Sequence, residues 1–169
     1  MIIAVVVTGL LTENWPWRLA GTPGRVALAS TLGNVLLGTG IFFALRPLTE
    51  LLLGPADVAA LGPAAVSFTA QLGVCWVFWM ILWQNCFANK PDGLPAPGRY
   101  AARIIITLLL GIGTFFLYFH VLAGGLLHEP PMTENIDGNA LGWMDGMVLW
   151  TLFYVLCLQS WGLPKPATA

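Results

Sequence analysis

The residues with the most evident chemistry lie in the last third of the chain. His120 is followed by His128, Glu129, Met132, Met144, Asp145 and Met147. Thioether and imidazole suit copper, whereas carboxylate and imidazole suit harder metals. The spacing matches no closed metal motif, and two histidines in an apolar chain also fit side chains resting at a membrane surface. His120, His128 and Met132 are the positions a metal would use, but no metal is expected. Haem is disfavoured because no second histidine faces His120 from another helix at the same depth. No cofactor is expected, and bound lipid is the one non-protein companion the composition suggests. Cys75, Cys86 and Cys157 form no CxxC and no metal-ligand spacing, so no structural disulfide is expected.

Amides form the second group. Asn34 and Gln71 fall deep inside apolar runs, ~13 Å and ~20 Å above the inner ends of their helices at ~1.5 Å per residue. A polar group in hydrocarbon needs a partner, and such residues often face a bundle interior or a cavity. Asn34 and Gln71 are close enough in depth to meet, either as a plain interhelical hydrogen bond or as the wall of a ligand path. Gln84-Asn85-Cys86 forms a polar cluster at the end of an apolar run. Glu13-Asn14-Trp15 and Gln159-Ser160-Trp161 do the same, all on one side of the membrane. Gln84 and Asn85 could line an inner vestibule, or could simply cap helix ends that lipid leaves unsatisfied. No Asp, Glu, Lys or Arg sits at the centre of a span, which counts against a proton relay or an ion-coupled pump. An enzyme is not the favoured reading.

The elements that would carry these residues are membrane helices. The chain has 169 residues, 57% of them hydrophobic and only 9% charged. Soluble domains carry roughly 25% charged residues, so the solvent must be lipid. No polybasic tract suggests nucleic acid. The first apolar run, Met1 to Leu11, is shorter than the ~20 residues that a span needs. It has no basic n-region or cleavage site, so it is not a signal peptide. It is expected to be an incomplete first helix, either the tail of a longer one or a half-span shielded by partners. Spans are expected at about Val26 to Leu45, Ala64 to Trp83, Ile104 to Leu127 and Met144 to Gln159. Leu48 to Ala65, broken by Gly54-Pro55 and Gly62-Pro63, is expected to be interfacial or re-entrant.

The chain repeats itself. Leu36 to Phe43 reads LLGTGIFF, and Leu109 to Phe116, 73 residues later, reads LLGIGTFF. Pro23-Gly24-Arg25 and Pro97-Gly98-Arg99 lead into the two runs. The expected fold is an all-α integral membrane protein of about five transmembrane helices, in tandem two-helix units. Residues 1–63 make the first hairpin with an interfacial segment. Residues 64–142 make the second with an outer loop, and 143–169 the last span and a tail. Gly38, Gly40, Gly111 and Gly113 remove side chains where helices approach, giving a pseudo-symmetric contact between the second and fourth spans, or a gap for a ligand. The stripe Trp76, Trp79, Trp83 fits packing or lipid contact.

Arg18, Arg25, Lys90, Arg99, Arg103 and Lys165 share one side, with Arg46 alone opposite, which makes that side cytoplasmic. The protein is expected in the cell membrane with the N-terminus outside and the C-terminus inside. Its partners are the bilayer and either further copies of itself or other membrane subunits. Two functions remain open: a transporter- or channel-like unit for a neutral or apolar small molecule, and a non-catalytic subunit of a larger membrane complex.

Overall fold

A computed structural model describes residues 1–126, 128 and 140–158. Among these, every regular element is helical. We label α1 Ile2–Leu11, α2 Pro23–Leu53, α3 Pro55–Leu61, α4 Ala65–Phe87, α5 Ala96–Leu122 and α6 Ala140–Leu156. Three helical stretches are long and apolar enough to cross a membrane: α2, α3 continued into α4 (Pro55–Phe87), and α5.

The organising element is α4. In its most apolar stretch 61% of residues are buried, against 28% in α5 and 11% in α2. It packs against α1, α2, α5 and α6. Phe68, Leu72, Cys75, Trp76 and Met80 form the core with Leu11, Leu45, Leu53, Phe115, Phe119 and Met144 from its neighbours. The indoles knit the main contact: Trp76 Nε1 donates to Thr107 Oγ1 at 3.0 Å, and Trp79 Nε1 to Thr114 Oγ1 at 2.8 Å. The tryptophan stripe is thus a packing surface with its N–H groups satisfied.

The second helix does not end at Arg46-Pro47. Pro47 lies inside α2, which runs 31 residues to Leu53. Proline removes one backbone donor without forcing an end. Pro47 leaves Phe43 O without its helical donor; the nearby Arg46 Nε–Glu50 Oε1 bond at 3.0 Å and Thr49 Oγ1–Leu45 O bond at 2.9 Å do not reach it, and the helix continues regardless. Gly54, at φ +86, ends the helix in a conformation that favours glycine. Leu48 to Ala65 therefore divides. Its first residues finish α2. The rest forms α3, none of whose residues is buried, and a 3₁₀ turn at Gly62–Ala64. The fourth helix begins at Ala96, earlier than expected, because Pro97 suits a first turn. It passes into a π turn, Tyr118–Leu122, and a last helical turn, Ala123–Gly125. The last helix spans Ala140–Leu156; Gln159 lies outside the described residues.

Two exits share one backbone. Glu13 and Asn14 have φ of 55 and 63, and Ala88 and Asn89 have φ of 50 and 55. Asn14 N donates to Thr8 O at 2.7 Å, and Asn89 N to Trp83 O at 3.2 Å, each reaching back six residues, one further than a Schellman closure. In each, a helix side chain then holds the next carbonyl: Thr12 Oγ1 to Trp15 O at 2.6 Å, and Trp83 Nε1 to Lys90 O at 2.7 Å. A cis peptide bond precedes Pro16 in the first and Pro91 in the second.

Candidate functional site

The deep amides do not share a space. Asn34, on α2, is buried against α1 and the turn after it. Its Oδ1 accepts from Trp17 Nε1 at 3.2 Å and lies 3.0 Å from Thr8 Oγ1. Thr8 Oγ1 is also 2.8 Å from Ala4 O, so its single proton is shared between two acceptors and the indole is the committed donor. Gln71, on α4, is buried with no donor to its Oε1. No hydrogen bond joins Asn34 to Gln71.

Gln84 and Asn85 lie in the last turn of α4, which ends at Phe87. Both are half-buried, and Asn85 Nδ2 donates to Ile81 O at 2.8 Å in its own helix. The true exit lies at Ala88–Asn89, so the geometric counterpart of Asn14 is Asn89. Asn89 Nδ2 reaches Leu10 O at 2.8 Å and ties this exit to α1.

The glycine pairs do not meet each other either. A side chain on Gly38 would strike Met1 Cα at 2.9 Å and Ala4 beyond it; one on Gly111 would strike Trp76 Cα at 2.8 Å. Each packs on the helix before its own, so the expected contact between second and fourth spans is replaced by two separate ones. Gly40 and Gly113 have nothing within 4 Å. Small residues bring backbones together only on the face that a neighbour occupies.

At the end where α2 closes, His120 Nε2 lies 2.8 Å from Leu52 O. A carbonyl only accepts, so this ring nitrogen carries the proton and caps α2. His128 is exposed, and Met132 lies outside the described residues. Among the described residues, no three His, Cys, Asp or Glu side chains form a group able to hold a metal.

The densest polar cluster lies at the opposite end, centred on Glu13. Arg103 Nη1 donates to Glu13 Oε1 at 3.2 Å and to Leu11 O at 3.1 Å. Arg99 Nη2 stands 3.4 Å from Glu13 Oε1, and Arg18 Nη1 stands 3.7 Å from Oε2. Tyr100 OH donates to Glu13 Oε2 at 3.3 Å and accepts from Arg18 Nη2 at 3.0 Å. Asp92 lies 3.5 Å from Arg103. Partial burial pushes the Glu13 carboxyl up. The hydrogen bond from Arg103, the charge of Arg99 and the Tyr100 hydroxyl outweigh it, leaving the group below its ordinary 4.5. Sequence reasoning saw these arginines only as an orientation signal. The clue was Arg103, a charge two turns inside an apolar helix, which demands a partner. An apolar groove of about 270 Å³ between Leu149, Trp150 and Phe153 lies on α6.

No family model, curated protein or solved structure matches this chain.

Proposed function

We propose that this protein is a multi-pass cell-membrane module whose work is packing: a non-catalytic subunit of a larger membrane assembly. The observation that carries the reading is Asn34. The amide best placed to bind a solute already accepts from Trp17 and lies against Thr8, which leaves no acceptor facing a path. Asn85 spends its donor within its own helix. Meanwhile α2 presents Leu28, Leu32, Leu36 and Phe43 outward, an apolar face suited to lipid or to another membrane helix. The companions we propose are lipid and further membrane subunits or copies, with no cofactor.

The same reading holds five transmembrane helices in tandem two-helix units. Its support is the matching exit geometry at Glu13–Asn14 and Ala88–Asn89, and the matching seats of Gly38 on Met1 and Gly111 on Trp76. Orientation follows from charge. Arg18, Arg99 and Arg103 gather at one end around Glu13, which we assign to the cytoplasm. A single cysteine at Lys90, in a chain otherwise free of cysteine, should resist labelling from outside intact cells, while one at Glu134 should react.

Transport keeps one observation, the unpartnered Gln71 Oε1. Reconstitution separates the two functions. The packing reading expects an assembly in nanodiscs well above the 18.2 kDa chain and no solute flux in proteoliposomes. A monomer whose flux changes on Gln71→Leu would overturn it in favour of transport.

A further inference from the structure

The Glu13 cluster has more cationic donors than acceptors. Three guanidiniums, Arg18, Arg99 and Arg103, face two carboxylates, Glu13 and Asp92. One positive charge is left over. Asp92 is a weak counterweight, since its side chain is 64% exposed and its contact is 3.5 Å long. Arg103 is the opposite, with a side chain only 3% exposed and a buried Nε that has no acceptor. Arg99 is the least committed. It pairs with Glu13 at 3.4 Å and lies 5.6 Å from the Tyr100 ring centroid, and its buried Nε also has no acceptor. Among the described residues, the Arg99 side-chain nitrogens donate no hydrogen bond and hold only the ion pair with Glu13. Buried donors without acceptors are costly and rare, so the cluster holds more donor capacity than its two carboxylates satisfy.

Position adds to this. Arg99 and Arg103 stand near the start of α5, at the positive end of the helix dipole, although Pro97 has no N–H and Arg99 N already donates to Pro95 O at 2.9 Å. Trp15, partly exposed, lies 6.2 Å from the Tyr100 ring, an aromatic pair of the kind found at headgroup level. A guanidinium fork matches a phosphate better than an ammonium does, and basic pockets between membrane helices on the cytoplasmic side take phosphorylated headgroups.

We propose that the start of α5, through Arg99, Arg103, Arg18 and Tyr100, is a binding site for one phosphate group, with Glu13 setting the spacing of the guanidiniums. It rests on the membrane reading and is independent of whether the chain packs or transports. The phosphate could belong to an anionic phospholipid or be free in solution, and the chemistry of the pocket is the same.

Native mass spectrometry and melting in detergent test it, using the full chain with added phosphatidylglycerol, phosphatidylcholine or inorganic phosphate. The expected result is one retained phosphatidylglycerol and a melting temperature raised by that lipid but not by phosphatidylcholine. A rise with inorganic phosphate alone assigns the site to the free ion. Arg99→Gln should weaken the preferred ligand at least tenfold, and Arg99→Lys, which keeps the charge but loses the fork, should weaken it less. Arg25→Gln, an exposed charge of the same end, should leave it unchanged. The proposal is overturned if neither anionic lipid nor phosphate is preferred by the parent chain, or if Arg25→Gln loses as much as Arg99→Gln, since bulk charge would then explain the effect. A loss of all membrane-helix spectroscopic signal on moving from detergent to bilayer would instead strike the membrane reading itself.

Discussion

The α1–α2 pair and the α4–α5 pair solve one packing problem in two settings. In each, the first glycine of a GxG sits on the backbone of the preceding helix, at Met1 in one and Trp76 in the other. In each, a polar residue on the glycine helix receives donors from that neighbourhood: Asn34 from Trp17 and Thr8, Thr107 from Trp76. Burial differs. Trp76 lies in the middle of α4, which is enclosed by other helices, whereas Met1 is 72% exposed at the tip of α1. The comparison teaches that the contact geometry is local, while what the contact is worth depends on how many other helices depend on the same residue.

Substitution should break the pairs unequally. Gly111→Leu forces a side chain into Trp76 backbone at the centre of the molecule, and should cost ~3 kcal/mol, the upper end for overpacking. Gly38→Leu meets Met1, which is 72% exposed at the tip of α1, and should cost ~1 kcal/mol. Melting in detergent reads both; equal costs would remove the distinction between the pairs. The next effect concerns the polar partners. Thr107→Val leaves the buried Trp76 N–H without an acceptor and should cost about 1–3 kcal/mol. Asn34→Leu should cost less, because Thr8 keeps Ala4 O and Trp17 is only half-buried. The reverse order would mean that the α1–α2 pair is the better sealed of the two.

A smaller effect should follow pH, since Glu13 joins the two pairs by linking the end of α1 to α5. Its carboxyl titrates below 4.5 when folded. A lowered value means that the charged form is favoured by folding. Its contribution is therefore complete above 4.5 and fades as pH falls through the lower folded value. The side chain is 41% exposed, so salt should shrink the effect. Melting curves from pH 7 to pH 3 should show an acid-side loss that Glu13→Gln largely removes; an unchanged profile in that variant would free Glu13 of the role. The smallest effect is expected at Gly40 and Gly113. Leucine there meets open space, and the change should stay within about 0.5 kcal/mol. A large loss at either would reveal a neighbour covering that face.

The apolar runs carried most of the architecture in plain view, because an uninterrupted hydrophobic segment has few ways to satisfy its backbone. Pro47 misled, since proline costs a helix one backbone bond without forcing an end, and α2 runs past it to Leu53. Close approach at the glycines was legible, but not the partner, because small residues state that something comes near without saying what. Matching Gln84-Asn85 to Glu13-Asn14 by residue type missed the true correspondence, Asn89 with Asn14, which depends on φ. The Glu13 cluster was hidden because its other members lie 5 to 90 residues from Glu13 in the chain.

The exits carry a further consequence. Thr12 holds the carbonyl of Trp15, and Trp83 holds the carbonyl of Lys90. In both, what is gripped is main chain, so the side chain of the gripped residue carries no part of the instruction. An indole in one exit and an ammonium in the other are interchangeable as far as the bend is concerned. Such a joint can drift in spelling while keeping its shape, and two descendants of one ancestral turn would come to look unrelated letter by letter while still bending the chain alike.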